Sequence, residues 1–181
     1  GGLIITIPDD QVFHNKRNKL KKAPQSLKDA LMLHILAVAI VVKWQEKEPY
    51  LSMMVHPDVS KANNRTFKKW IESDLKQWRK LMQKPDGQED KVDLINKFRE
   101  LFPMAIEYYP ENEKPSFDEI EPFIKDIINN KKVYLINSDK DADQKIEWDR
   151  YSMHILVGAE MLNRGFTVEK LATTYMPRYT V

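Results

Sequence analysis

The sequence predicts an α/β domain in which a parallel sheet is interrupted by a helical insertion. Four short apolar runs of strand length support the sheet, because strands buried on both faces are apolar along their whole length. A block from about Ser60 to Asn129 shows helical spacing and separates the first of these runs from the other three. The 181 residues are enough for one domain with a sizeable core.

Composition narrows the class of protein. Lys and Arg total 29 against 27 for Asp and Glu, so the formal charge of +2 does not by itself argue for nucleic-acid binding. Cysteine is absent, which excludes a disulfide scaffold and a cysteine-ligated zinc site. The same absence fits a reducing compartment, and we expect a cytoplasmic protein.

The first 25 residues are predicted to form an N-terminal linker or arm. Leu3 to Ile7 could be a short strand that Pro8 stops. The run Gln11 to Pro24 is polar and basic, and a solvated linker explains it better than a nucleic-acid arm. No basic segment precedes the apolar start, so we expect no signal peptide.

A buried helix is predicted next. Ser26 is expected to cap it, with Asp29 completing a weak capping box, and the helix runs to about Gln45. Its apolar run, Ile35 to Val42, is far short of the ~20 residues that a membrane span needs. We therefore expect a core helix and no membrane association.

The middle of the chain predicts one strand and three helices. Tyr50 to Val55 reads as a strand that ends at His56, and Ser60 can cap the helix that follows. The insertion spans about residues 60–130 and holds two further helices, Val92 to Phe102 and Phe117 to Ile128. Pro103 is expected to end the first of these, and Ser116 with Glu119 forms a capping box for the second.

The last part of the chain predicts three strands and the candidate ligand-binding loop. The strands are Val133 to Ile136, a run beginning at Ile155, and Leu171 to Met176. Ligands in open α/β sheets bind at the carboxyl ends of the strands. The loop that begins at Gly158 and carries Asn163, Arg164, Gly165, Phe166 and Thr167 is expected at such an end.

Arg164 and Gly165 suit a phosphate ligand. The planar guanidinium of arginine can bind phosphate through two hydrogen bonds, and glycine lets the backbone approach closely. Thr167 adds a hydroxyl group. An equally good alternative is that Arg164 pairs with a carboxylate while Gly165 only makes the turn.

Several familiar sites are absent from the sequence. The phosphate-binding pattern G-x-x-x-x-G-K-[ST] does not occur, nor do G-x-G-x-x-G and G-x-S-x-G. No two histidines stand three or four residues apart, so no local metal pair is predicted. His34 reads as a core residue, whereas His56 ends a strand and could be functional. A metal-dependent nuclease would have to use Asp58, Asp143 and Lys145.

Three stretches together resemble the Z-one domain, a family found in bacterial helicase-like proteins that are linked to restriction–modification and phage-defence loci. These stretches are PQSLKDAL from Pro24, SMMVH from Ser52, and Gly158 to Arg178 with its core LNRGFT. The segment ILVGAEMLNRGFTVEKL also resembles motif V of superfamily II helicases.

The resemblance implies the second RecA-like domain of an ATP-dependent helicase or translocase, incomplete at its C-terminus. A preceding RecA-like domain would complete the ATP- and Mg²⁺-binding cleft, DNA would be the substrate, and the isolated chain would be inactive. The implied nucleotide- and nucleic-acid-binding residues are His56, Ser60, Ser138, Gly158, Asn163, Arg164, Gly165 and Thr167.

The match to helicases departs at two positions, and two other functions stay open. Ala159 stands where many helicases have a phosphate-binding Thr, and Thr167 where many have Asp. A non-catalytic protein-interaction domain would keep the sheet without the chemistry. A metal-dependent endonuclease is the weaker alternative.

Overall fold

The computed structural model describes residues 2–12, 20–44, 49–57, 60–136, 145–158 and 167–177. The described residues form four α-helices and four strands. In chain order these are α1 (Gln25–Trp44), β1 (Leu51–Val55), α2 (Lys61–Met82), α3 (Glu89–Ile106), α4 (Phe117–Asn129), β2 (Lys131–Leu135), β3 (Met153–Val157) and β4 (Leu171–Tyr175). Two short 3-10 turns, Asp9–Gln11 and Glu111–Glu113, accompany them.

The four strands form one parallel sheet in the order β2-β3-β1-β4. Leu51 lies opposite Met153 and Val55 opposite Val157, while Val133 lies opposite Ile155. The predicted α/β class with a parallel sheet is therefore confirmed. The two central strands, β1 and β3, are buried almost throughout, which explains their continuous apolar runs.

Successive residues of each strand point to opposite faces of the sheet, and the two faces differ. On one face, the side chains of Met53, Val55, Ile155 and Val157 join the main core with residues of all four helices. On the other face, a small cluster forms from Met54, Tyr134, Ile136 and Leu156. Among the described residues, the partly buried side chains packed against that cluster come from connecting segments: Ile146, Trp148 and Val168.

Helix α1 is the central helix of the main core. Its buried residues include Leu31, Ile35, Leu36 and Ile40, and it packs against α3, α4 and β4. By length and composition it is the one helix among the described residues that could cross a membrane, but much of it is buried against protein. This packing agrees with the core helix that the sequence predicts.

Two predictions near the N-terminus are wrong. Residues 3–7 form no strand, and Ile4 is 91% exposed. Ser26 does not cap α1, because the helix already begins at Gln25. The hydroxyl of Ser26 instead hydrogen-bonds the hydroxyl of Tyr175 at 2.8 Å, which joins α1 to the end of β4.

Helix α3 is longer than predicted. It continues through Pro103 to Ile106, although proline removes one helical hydrogen bond. Aromatic packing in the turns before Pro103 offsets this cost: Phe98 meets Trp78 at 6.0 Å, and Phe102 meets Phe117 at 5.5 Å between ring centroids. Tertiary packing here overrides the local preference of proline.

The two predicted caps in the middle of the chain behave differently. The Ser116 hydroxyl accepts from the backbone N–H of Glu119, and the Glu119 carboxylate accepts from the backbone N–H of Ser116, so this capping box is confirmed. Ser60 occupies the N-cap position of α2, but its side chain makes no capping hydrogen bond. The predicted capping role of the Ser60 side chain is therefore wrong.

Candidate functional site

The carboxyl ends of all four strands meet at one edge of the sheet, because every strand runs in the same direction. His56 follows β1, Ile136 follows β2 and Gly158 follows β3. Backbone hydrogen bonds continue the pairing past the strands: His56 N donates to Tyr175 O at 2.9 Å, and Gly158 N to Val55 O at 3.0 Å. Backbone pairing therefore extends one residue beyond β1 and β3, to His56 and Gly158.

His56 and Gly158 contact each other at this edge. Nδ1 of His56 lies 2.8 Å from the carbonyl oxygen of Gly158, and the histidine is only 2% exposed. A carbonyl oxygen only accepts, so Nδ1 of His56 donates in this hydrogen bond. This contact fixes the orientation of the imidazole and the start of the loop after β3.

Gly158 is required by close packing. A Cβ atom at this position would lie 1.8 Å from the carbonyl oxygen of Ile136. The backbone of Ile136 also joins the ends of β2 and β3, since Ile136 N donates a hydrogen bond to Val157 O at 2.8 Å. Only glycine lets the backbones after β2 and β3 approach this closely.

Helix α2 begins close to the same edge, because it starts at Lys61, only six residues after the end of β1 at Val55. The N-termini of helices attract anions because their first N–H groups lack helical partners. Ser60 stands at this terminus with its hydroxyl unused by the helix. Asn64, one turn later, is fully buried, and within the described part of the chain neither of its amide atoms has a hydrogen-bond partner.

The remaining residues of the predicted site divide into two groups. Thr167 is exposed and lies on the approach to the amino-terminal end of β4, whereas His56 and Gly158 lie at carboxyl ends. Ser138, Asn163, Arg164 and Gly165 lie outside the described residues. The structure therefore brings together His56 and Gly158, with Ser60 at the start of the adjacent helix.

The other described histidines are buried away from this edge. His34 of α1 hydrogen-bonds Thr173 of β4 through Nδ1 at 2.9 Å, and burial lowers the pKa of His34 to about 3. His154 lies among aromatic rings on the second face of the sheet, and burial lowers its pKa as well. Both side chains are therefore neutral at physiological pH and read as structural groups.

A metal centre has no support among the described residues, where no three His, Asp or Glu side chains cluster. Of the residues that a nuclease would have to use, Lys145 is described and exposed, while Asp58 and Asp143 lie outside the described ranges.

Sequence reasoning missed two features. Asn64 looked like an ordinary helical residue, although an asparagine inside an apolar helical stripe with Phe67 and Ile71 is a usable signal. A basic groove between α2 and β2 was also missed, because it depends on how the two elements pack.

Comparison with known proteins gives one match. The family model for the Z1 domain (the Z-one domain of the sequence analysis) matches residues 26–181. No curated protein matches the chain, and neither does any solved structure.

Proposed function

Because the chain belongs to the Z1 domain family, we propose that it is the sheet module of an ATP-dependent helicase- or translocase-like protein that acts on DNA. In this proposal the module is RecA-like, and a second RecA-like domain faces the carboxyl edge of its sheet. ATP and Mg²⁺ bind in the cleft between the two. The protein would act in the cytoplasm, in restriction–modification or phage defence.

The observation that carries the proposal is the ordered carboxyl edge where His56 contacts Gly158. Open parallel sheets bind ligands at this edge, and a rigid starting point for a loop reduces the entropy lost when the loop closes on a ligand. The loop that starts at Gly158 carries the motif V-like residues Arg164 and Gly165. Their proposed roles are to contact phosphate groups of the nucleotide and of the nucleic acid.

Helix α2 adds to the same edge. Its first turn contains no acidic residue, so the positive end of the helix dipole is not neutralised by its own side chains. In the proposed closed state, the hydroxyl of Ser60 and the first N–H groups of α2 lie on the phosphate side of the cleft. Nε2 of His56 hydrogen-bonds the ligand or a bound water.

The test is DNA-stimulated ATP hydrolysis by the full-length protein with Arg164→Ala. Loss of one preorganised group that stabilises transition-state charge is expected to lower kcat roughly hundredfold. Arg150→Ala is the matched control, because Arg150 is an exposed arginine whose ion pair with Glu147 lies outside this edge. If Arg164→Ala hydrolysed ATP at the wild-type rate, the role assigned to Arg164 would be refuted. The control Arg150→Ala should hydrolyse ATP at the wild-type rate.

A further inference from the structure

A groove between α2 and the edge strand β2 gathers most of its lining from basic side chains. Its volume is about 350 Å³, and it lies near the start of β2, away from the carboxyl ends of the strands. The lining residues are Lys68, Glu72, Lys76, Arg79, Lys131, Lys132 and Val133. Five of the seven are basic and one is acidic, although the whole chain is close to neutral.

The charged residues of α2 that line the groove form a single stripe. Lys68, Glu72, Lys76 and Arg79 follow one another at helical spacings of four, four and three residues, so they lie on one face. Glu72 pairs with Lys68 at 2.7 Å. Among the described contacts, this ion pair uses the one carboxylate of the groove. The other basic residues of the lining therefore carry positive charge that no carboxylate of the groove balances.

Lys131 of β2 shows the effect of this crowding. Lys131 is about half buried, and its pKa is lowered first by burial and second by the nearby charge of Arg79, with Glu72 opposing. A bound anion would remove this repulsion. The groove thus favours a negatively charged ligand on electrostatic grounds.

The shape of the basic stripe favours a polymer over a small anion. From Lys68 to Arg79 is eleven residues, which is about 16 Å along a helix that rises 1.5 Å per residue. One strand of DNA presents a phosphate roughly every 3.4 Å of its axis, so the stripe can follow several consecutive phosphates. A single phosphate would use only one part of the stripe.

We propose that the groove between α2 and β2 binds the phosphodiester backbone of a nucleic acid. The choice of nucleic acid as partner rests on the proposed function, whereas the groove itself does not. The surface lies near the amino-terminal end of β2 and therefore provides a nucleic-acid contact separate from the proposed cleft.

The experiment measures binding of a short fluorescein-labelled DNA duplex to the intact chain across a salt series. The double variant Lys76→Gln with Arg79→Gln removes two positive charges from the groove. The control, Lys97→Gln with Lys125→Gln, removes the same charge from exposed positions of α3 and α4 outside the groove. Single-stranded DNA and RNA of the same sequence serve as further probes.

The groove variant is expected to bind more weakly and to reduce the slope of log affinity against log salt by roughly two units, one for each lost phosphate contact. The control keeps the wild-type slope. Glu72→Gln removes the competing carboxylate and should bind about fivefold more tightly. Equal weakening in groove variant and control, or no nucleic-acid binding by the wild-type chain, would overturn the proposal.

The outcomes also separate this proposal from the ATPase proposal. Loss of DNA binding in the groove variant together with normal ATP hydrolysis in Arg164→Ala supports the groove and refutes the assigned role of Arg164. Normal DNA binding in the groove variant together with inactive Arg164→Ala refutes the groove and supports the cleft.

Discussion

The two faces of the sheet are built from alternate residues of the same strands, yet they are covered in different ways. One face packs against four helices and contributes to a large continuous core. The other holds a four-residue cluster and, among the described residues, is covered by side chains of connecting segments. Neighbouring residues such as Ile155 and Leu156 are equally buried but belong to different faces.

This difference shows that burial alone does not describe how a residue supports the fold. Side chains on the helical face are held by several regular elements that cannot move independently. Side chains on the second face meet segments that can rearrange at lower cost, because fewer backbone hydrogen bonds hold them. Substitutions that remove the same number of atoms should therefore have unequal effects on the two faces.

The largest effect is expected at the edge that both faces share. Gly158→Ala would place a Cβ atom 1.8 Å from the Ile136 carbonyl oxygen, so the joint between β2 and β3 must open. We expect a loss of about 4 kcal/mol or more in unfolding free energy, measured by chemical denaturation. A substitution that disturbs the packing of only one face of the sheet should lower the unfolding free energy by less.

Two other glycines provide controls for this substitution. A Cβ at Gly2 or at Gly87 would meet no atom within 4 Å. Gly2→Ala should be neutral, and Gly87→Ala should cost only about 1 kcal/mol, because its φ of 84° is strained for alanine. If Gly158→Ala cost no more than Gly87→Ala, the close contact with Ile136 would not exist in solution.

The second prediction compares the faces directly. Ile155→Ala removes side-chain atoms from the helical core and should cost about 4 kcal/mol, because the surrounding helices cannot close the cavity. Leu156→Ala removes a similar volume from the second face and should cost about 2 kcal/mol, since the covering segments can collapse onto the gap. Equal costs, measured by urea denaturation with unchanged m-values, would show that the two faces are equally rigid.

The third prediction uses the buried histidine of each face. His34, on the helical side, has a folded-state pKa of about 3 against 6.5 in the unfolded chain. The unfolded chain therefore binds a proton first as the pH falls. The stability that neutral His34 provides is complete above pH 6.5 and is lost progressively towards pH 3.

At pH 5 this protonation lowers the unfolding free energy by about 2 kcal/mol. Because glutamine does not titrate, the unfolding free energy of His34→Gln should fall by about 2 kcal/mol less than that of the wild type between pH 7 and pH 5. The pKa of His154 is also lowered by burial, and His154→Gln should change the pH dependence in the same direction by less. If His154→Gln changed the pH dependence of the unfolding free energy more than His34→Gln, the histidine on the second face would be the more strongly desolvated one, which would contradict this prediction.

The sequence predicts the elements of this fold well where burial is periodic. All four strands and all four helices occur near their expected positions, because apolar spacing reports which side of an element is buried. The prediction of a strand at Leu3 to Ile7 was wrong: a strand needs a paired neighbour, and these residues pair with none of the four strands of the described sheet.

The site could be predicted only in part. The apolar run correctly predicted that His56 directly follows a strand, but the contact of His56 with Gly158 joins residues 102 positions apart. Such a contact follows from strand order, which apolar periodicity does not encode. For the same reason, the stripe on α2 is visible in the sequence, whereas its proximity to Lys131 of β2 is not.

The last and smallest effect compares two tyrosine hydroxyls. Tyr175 belongs to the helical core and bonds Ser26 at 2.8 Å, whereas Tyr50 donates to Glu169 near the second face. Tyr175→Phe should cost about 1 kcal/mol, because the part-buried Ser26 hydroxyl loses its partner. Tyr50→Phe should cost less, since water can solvate the carboxylate of the exposed Glu169. Thermal unfolding of both variants measures the difference, and a greater loss for Tyr50→Phe would mean that Glu169 fixes the segment before β4 more firmly than helical packing fixes Ser26.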